Sequence, residues 1–211
     1  MYKLYYYPRN ASLAPHLVLE DMGVDFELIL VDRDNNQQKS LEYLALNPAG
    51  RIPTLVHHDL VLFESSAICM YLCDQNPESS LIPSIGSHDR ALFYQWLMYL
   101  NNTVQTEILM YVYPDRHTVD KSFSSSIKQA QESRLMDMFD LLDDALSGKS
   151  YPLVGHNTTV CDYFLLMVSI WGRNLPRTPL ALPNMGPYLR SLAEQDVVRR
   201  VFEKEGVGLN G

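Results

Sequence analysis

Long apolar runs are missing from this chain. None approaches the roughly 18–20 residues that a membrane-spanning helix needs, so no transmembrane helix is predicted. The start, Met1-Tyr2-Lys3-Leu4, lacks the basic-then-apolar layout of a secretory leader. Cysteine is scarce: there are three, an odd number, so they cannot all pair. Cys69 and Cys73 lie one helical turn apart and Cys161 is distant, a pattern that suits small buried hydrophobes in a reducing cytoplasm. The same pattern supplies too few ligands for a metal site, and none is predicted. Basic charge is also short: 17 Lys and Arg face 25 Asp and Glu, a net charge of -8. That balance argues against nucleic acid and against anionic membranes as partners. With 46% hydrophobic residues among 211, the chain can build one large core or two small ones.

What is present divides the chain in two. Residues 2–7, rich in tyrosine, predict a strand. Residues 8–11 predict a loop. Ser12 is placed as the N-cap of a helix carrying Leu13, Leu17, Val18 and Met22, with Gly23 as its stop. Residues 26–31 predict a second strand, residues 34–39 a polar loop and residues 40–46 a short helix. Residues 52–56 and 60–63 predict a hairpin around His57-His58-Asp59, a polar tip in preference to a metal site. Residues 64–74 predict a helix. The order β-α-β-α-β-β-α defines a compact α/β domain over residues 1–77.

Residues 78–87, with Ser79, Ser80, Pro83 and Ser84, predict a linker. Strand signals then vanish, and residues 88–211 predict an all-α domain. Its helical runs cover residues 88–112, then 124–146 closed by Gly148, and 163–171. The last is opened by Thr159-Val160-Cys161-Asp162, which has capping-box spacing. Shorter helices are predicted at residues 187–193 and 197–205.

The most informative stretch is Asn47-Pro48-Ala49-Gly50-Arg51-Ile52-Pro53-Thr54-Leu55, followed by Phe63-Glu64-Ser65-Ser66-Ala67-Ile68. Pro53 has no N–H to give a ladder, so it belongs at a strand start or edge. With a cis Ile52–Pro53 bond, the backbone of Ile52 can face an open groove. Glu64 and Ser65 begin a helix, whose free N–H groups suit a ligand carboxylate. An extended backbone edge and an anion pocket, one short hairpin apart, fit a small peptide with a free carboxylate.

These residues, in this order, resemble the cytosolic glutathione transferases over nearly the whole chain. That family has a thioredoxin-like N-terminal domain and an all-helical C-terminal domain. Ser12-Leu13-Ala14-Pro15-His16 and Trp96-Leu97 resemble the bacterial beta class in particular. The resemblance implies glutathione as co-substrate, with no metal. It places the Ile52 backbone, beside Pro53, against the cysteinyl backbone of glutathione. It places Glu64 and Ser65 on the γ-glutamyl end, and a lysine, matched loosely by Lys39, nearby. A homodimer is implied, with residues 92–99 and the hairpin near His58 at the interface. The electrophile pocket is expected to be apolar and interdomain, with Met98, Asn102, Gln105, Tyr111, Tyr113 and Trp171 as candidates. The chain departs from the beta class at three places: Ala11 stands where its cysteine is, Gln105 where its histidine is, and Met98 where it has an asparagine.

Without that cysteine, the expected chemistry is activation of the glutathione thiol by a hydroxyl. A free thiol of this kind is mostly protonated at neutral pH, and conjugation needs the thiolate. A donor aimed at sulfur favours the anion. Ser12, at the start of the first helix, matches the active serine of serine-type classes and is favoured over Tyr6, which resembles the catalytic tyrosine of others. Asn10 is a further donor in the same loop. Conjugation to small hydrophobic electrophiles is the function expected. The alternative is a non-catalytic binding or regulatory protein of the stringent-starvation type, which Asp34-Asn35-Asn36 and Pro53-Thr54-Leu55-Val56 mildly resemble. A glutathione-dependent isomerase ranks lower, because Ala11-Ser12-Leu13 replaces the serine-serine-cysteine signature.

Overall fold

Alternation along the first strand, β1 (Tyr2–Tyr6), buries Tyr2 and Leu4 and leaves Lys3 in solvent. There Lys3 faces Glu27 across the sheet, with Nζ 3.5 Å from its carboxylate. This is a computed structural model, and it describes residues 1–148 and 152–210. Chain order continues with α1 (Leu13–Met22), β2 (Phe26–Leu30), α2 (Leu41–Leu46), β3 (Thr54–His57), β4 (Leu60–Phe63) and α3 (Ser65–Gln75). β1 pairs in parallel with β2 and antiparallel with β3, and β3 pairs antiparallel with β4, so the sheet order is β2-β1-β3-β4. The β-α-β-α-β-β-α order agrees with the sequence reading, as does the thioredoxin-like architecture.

On the even-numbered face of β1, Tyr6 meets α1, where its ring and that of His16 lie edge to face with centroids 6.2 Å apart. The odd-numbered face carries Tyr5 and Tyr7 onto Val31, Tyr43 and Ile52. Several boundaries move by a residue or two. β1 stops at Tyr6 because the Tyr7 backbone turns into the loop, its carbonyl accepting from the Asn10 N–H at 3.2 Å. β3 starts at Thr54, after the proline that cannot donate to a ladder. Residues 37–39, predicted as loop, wind into one 3₁₀ turn.

Two compact units emerge. The first holds Met1–Ile82 together with Gln195–Gly208. The second holds Pro83–Glu194 with Leu209 and Asn210. The C-terminal helix, α9 (Asp196–Glu205), therefore packs with the α/β unit and on α1, not within the helical span 88–211 expected from sequence. The reason is electrostatic as well as apolar: Arg200 and Lys204 each bond Glu20 of α1 at 2.7 Å.

The helical unit contains α4 (His88–Met98), α5 (Gln105–Val112), α6 (Ser124–Leu146), α7 (Val160–Trp171) and α8 (Met185–Ala193). The run predicted over 88–112 is continuous, but Tyr99–Val104 widens into a π-helical stretch between α4 and α5. α7 is buried from Val160 to Ile170 and forms the centre of the unit. Its capping box forms as the spacing predicts. Asp162 accepts from the Thr159 N–H at 2.7 Å, the Thr159 hydroxyl at 2.9 Å, the Leu153 N–H at 2.9 Å and the Tyr188 hydroxyl at 2.7 Å. Burial pushes the Asp162 carboxyl above its ordinary value, and these donors oppose that rise. α8 begins two residues before the predicted start, which puts Pro187 in the first turn, where its missing N–H is no loss. Asp143 of α6 caps it, accepting from the Asn184 and Met185 N–H groups at 2.9 and 2.7 Å.

Candidate functional site

Three segments of the α/β unit make up the site, and each is shaped by local chemistry. The first runs from α2 into β3. Asn47 ends α2 and folds the chain back: its Oδ1 accepts from the Ala49 N–H at 3.0 Å, and its Nδ2 donates to the Arg51 carbonyl at 2.8 Å. The buried Tyr43 hydroxyl reaches the same Arg51 carbonyl at 2.7 Å and lies 2.9 Å from Thr54 Oγ1. Gly50 has φ +57, and a Cβ there would come within 2.6 Å of Lys39 Nζ and 2.9 Å of the Gln38 carbonyl, so only glycine fits. This network holds Ile52 and Pro53, joined by a cis peptide bond, just outside the β1–β3 ladder. Lys39 is exposed and donates to the Ala49 carbonyl at 3.3 Å, which places it over the same turn. Tyr43, Asn47 and Thr54 have a role that sequence reasoning missed. The signal was Asn before Pro at a helix end, with an inward-facing threonine next to a strand proline.

The second segment is the entry to α3. Glu64 has φ 73 and ψ 112, a sparsely populated conformation for a residue with a side chain. Such a conformation costs about 1–3 kcal/mol and persists only where surrounding structure imposes it. The Glu64 carboxylate is exposed and has no partner among the described residues. The first helical bond is the Ile68 N–H to the Glu64 carbonyl at 2.9 Å, so the N–H groups of Ser65, Ser66 and Ala67 precede the ladder. The Ser65 hydroxyl donates to the Ala11 carbonyl at 2.8 Å. That bond joins the α3 entry to the third segment, the β1–α1 loop.

In that loop the structure departs from the expected chemistry. Ser12 is fully buried. Its hydroxyl donates to the Tyr7 carbonyl at 3.1 Å and accepts from the Tyr7 N–H at 3.3 Å, closing a small ring. It stands at the N-cap position of α1, but its side chain makes no capping bond. Ser12 is thus a loop brace, turned away from solvent. Asn10 is half-buried, and its Oδ1 accepts from the Ala11 N–H at 2.8 Å. Tyr6 is half-buried against His16; burial and then the Glu205 charge push its phenol above the ordinary value.

The helical candidates are individually placed. Met98 and Asn102 are exposed one turn apart, with Asn102 Nδ2 3.8 Å from Met98 Sδ. Gln105 is half-buried, with Oε1 lacking a partner among the described residues. Trp171, closing α7, is half-buried. Tyr111 differs from expectation: it is buried, and its hydroxyl donates to the Asn174 carbonyl at 2.7 Å, so it acts as a brace inside the helical unit. At the hairpin tip, His57 Nδ1 lies 2.8 Å from the Tyr71 hydroxyl. Among the described residues, no three His, Cys, Asp or Glu side chains group as metal ligands. No helix among them is long and apolar enough to cross a membrane.

Known proteins share this arrangement. The family model described as "Glutathione S-transferase, N-terminal domain" matches residues 1–74. Glutathione S-transferase GstA of Escherichia coli O157:H7 is 27% identical, over 97% of this chain and 99% of that one. A sphingomonad glutathione S-transferase solved in complex with glutathione is 28% identical over 98% of this chain and all of its own, with a TM-score of 0.83. The solved glutathione transferase of Methylococcus capsulatus is 31% identical, covers 98% of this chain and 99% of its own, and also has a TM-score of 0.83. With the sheet order, the cis-proline turn and the Glu64-Ser65 helix entry in place, this chain belongs to the glutathione transferase family.

Proposed function

We propose that the protein binds glutathione and transfers its thiolate to small hydrophobic electrophiles. The observation that carries this reading is the pairing of the Ile52–Pro53 edge with the unpartnered Glu64 carboxylate at the start of α3. The Ile52 backbone pairs with the cysteinyl backbone of glutathione. Glu64 takes the γ-glutamyl ammonium, and the Ser65 and Ser66 N–H groups take the neighbouring carboxylate. Lys39 lies over the same turn and supplies a cation beside it. In the reaction, sulfur forms a bond to the electrophilic carbon, the displaced group leaves with its electron pair, and the thiol proton goes to solvent. Met98 and Trp171 are the apolar candidates for contact with the electrophile.

A homodimer joined through residues 92–99 and the hairpin near His58 belongs to the same proposal, as does a reducing cytoplasm for three cysteines that form no disulfide. A clean monomer by light scattering would remove the dimer.

One observation favours the second reading, a non-catalytic binding protein: the Ser12 hydroxyl is committed to the Tyr7 backbone, and the resemblance expects a cysteine where Ala11 stands. Two measurements separate the readings. Retention on immobilised glutathione with turnover of a small aromatic halide supports the enzyme. Retention with a bound thiol that titrates like free glutathione supports the binding protein.

A further inference from the structure

Among the described residues of the β1–α1 loop from Pro8 to Ser12, the polar side chains that solvent reaches are Arg9 and Asn10, and Ser12 is not one of them. Arg9 is the more exposed of the two, and Asn10 is the one set next to the head of α1, its amide anchored on the Ala11 N–H. Ser12 is fully buried, so neither its hydroxyl nor its N–H reaches a ligand. The hydroxyl's one donor is taken by the Tyr7 carbonyl, and its oxygen accepts from the Tyr7 N–H. The loop's backbone is closed in the same way. The Asn10 N–H goes to the Tyr7 carbonyl at 3.2 Å, the Leu13 N–H to the Asn10 carbonyl at 3.1 Å, and the Ala11 carbonyl takes the Ser65 hydroxyl at 2.8 Å.

Asn10 is the exception. The Ala11 N–H can only donate, so the atom facing it at 2.8 Å must be the amide oxygen of Asn10. That assignment fixes the amide and sends Nδ2, with two N–H donors, to the opposite side. Nδ2 has no partner among the described residues, and the residue is half-buried. The oxygen is the anchor and the nitrogen is the free arm, a preorganised donor that needs no rotamer search when an anion arrives.

We propose that the Asn10 side-chain amide, not a hydroxyl, donates to the glutathione sulfur and stabilises the thiolate. This rests on the glutathione reading above and names its catalytic donor. Ser12 and Ser65 are then positioning residues: one braces the loop on β1, the other ties it to the α3 entry where the γ-glutamyl end binds.

The test uses the full-length protein and two substitutions. Asn10→Asp keeps an oxygen for the Ala11 N–H, and so the loop, but removes the donor and adds a charge that repels a thiolate. Asn10→Ala removes both. Ultraviolet thiolate absorbance of the glutathione complex, titrated with pH, reads the sulfur directly. Asn10→Asp is expected to lower the thiolate fraction at neutral pH by roughly 10- to 100-fold, the range for losing a hydrogen bond to a charged group. kcat falls in step and recovers towards high pH, while KM for glutathione changes by about threefold or less. Asn10→Ala shifts the titration in the same direction by a smaller factor. Ser12→Ala, which loosens the brace without removing the donor, lowers the melting temperature and shifts the thiolate titration by less than Asn10→Asp does. A wild-type titration curve in Asn10→Asp, or a shift produced only by Ser12→Ala or Tyr6→Phe, overturns the assignment. Calorimetry on the wild type tells this failure from a failure of the functional reading: absence of glutathione binding removes both, whereas intact binding with an unmoved titration removes Asn10 alone.

Discussion

His16 and Glu205, 189 positions apart in sequence, meet at 2.7 Å between Nδ1 and Oε1 with both side chains fully buried. The pair pins α9 to α1 beneath the Tyr6 and Phe26 rings. Each partner also carries an atom without a hydrogen bond among the described residues, His16 Nε2 and Glu205 Oε2, so the pair is the main compensation for two buried polar groups. Breaking such a pair by removing one member costs about 3–5 kcal/mol. Glu205→Ala should lower the urea midpoint accordingly, and Glu205→Gln, which keeps size and an acceptor, by less. A loss below about 1 kcal/mol in Glu205→Ala would show that α9 is held by apolar packing alone.

On the outer side of the same contact, Glu20 gives a pH dependence. Partial burial raises its carboxyl pKa, but the hydrogen bonds from Lys204 and Arg200 outweigh it and leave the group below the ordinary 4.5. A depressed folded-state pKa contributes stability that is present above the unfolded value and lost as pH falls through the folded one. At neutral pH Glu20→Gln should therefore melt below the wild type. The gap should close in acid, below the folded pKa of Glu20. A gap constant with pH would assign the effect to packing.

In the proposed glutathione site, Glu64→Ala should weaken binding by about 1.5–3 kcal/mol, the range for a charge-assisted hydrogen bond. Lys39→Ala should cost less, since that side chain is exposed and screened. Calorimetric titration with unchanged affinity in Glu64→Ala would move the glutamyl end elsewhere.

The capping box of α7 gives a graded pair. Thr159→Ala should cost about 0.5–2 kcal/mol, as cap removals do. Asp162→Ala removes the acceptor of four donors buried around it and should cost more, about 3–5 kcal/mol, or prevent folding. Equal losses in denaturant unfolding would mean that only the helix terminus matters, and not the ties to Leu153 and Tyr188.

The thiols should be silent. All three cysteines are buried and none forms a disulfide, and burial pushes Cys69 and Cys161 well above the ordinary thiol value. A thiol reagent should react slowly under native conditions and count three thiols in denaturant. Rapid native labelling would reopen a role for a protein cysteine.

Much of this was legible without coordinates, for a physical reason. The order of strands and helices, the Gly23 stop, the Thr159–Asp162 cap and the proline at the head of β3 all depend on neighbours within a few positions. Periodicity, caps and backbone-restricted residues report such interactions directly. The sequence by itself determined the two-part architecture and the start of α3 at Glu64-Ser65. Tertiary structure alone decided where the polar atoms point and which unit α9 joins. Glu205 reaches His16 across 189 positions, and Ser65 reaches Ala11 across 54. Even within five residues, Ser12 could have capped α1 or faced a ligand. It does neither, because the Tyr7 backbone, turning out of β1, takes both sides of its hydroxyl. A hydroxyl's partner is set by which backbone groups the fold leaves unsatisfied beside it, and that is known only once the chain has closed.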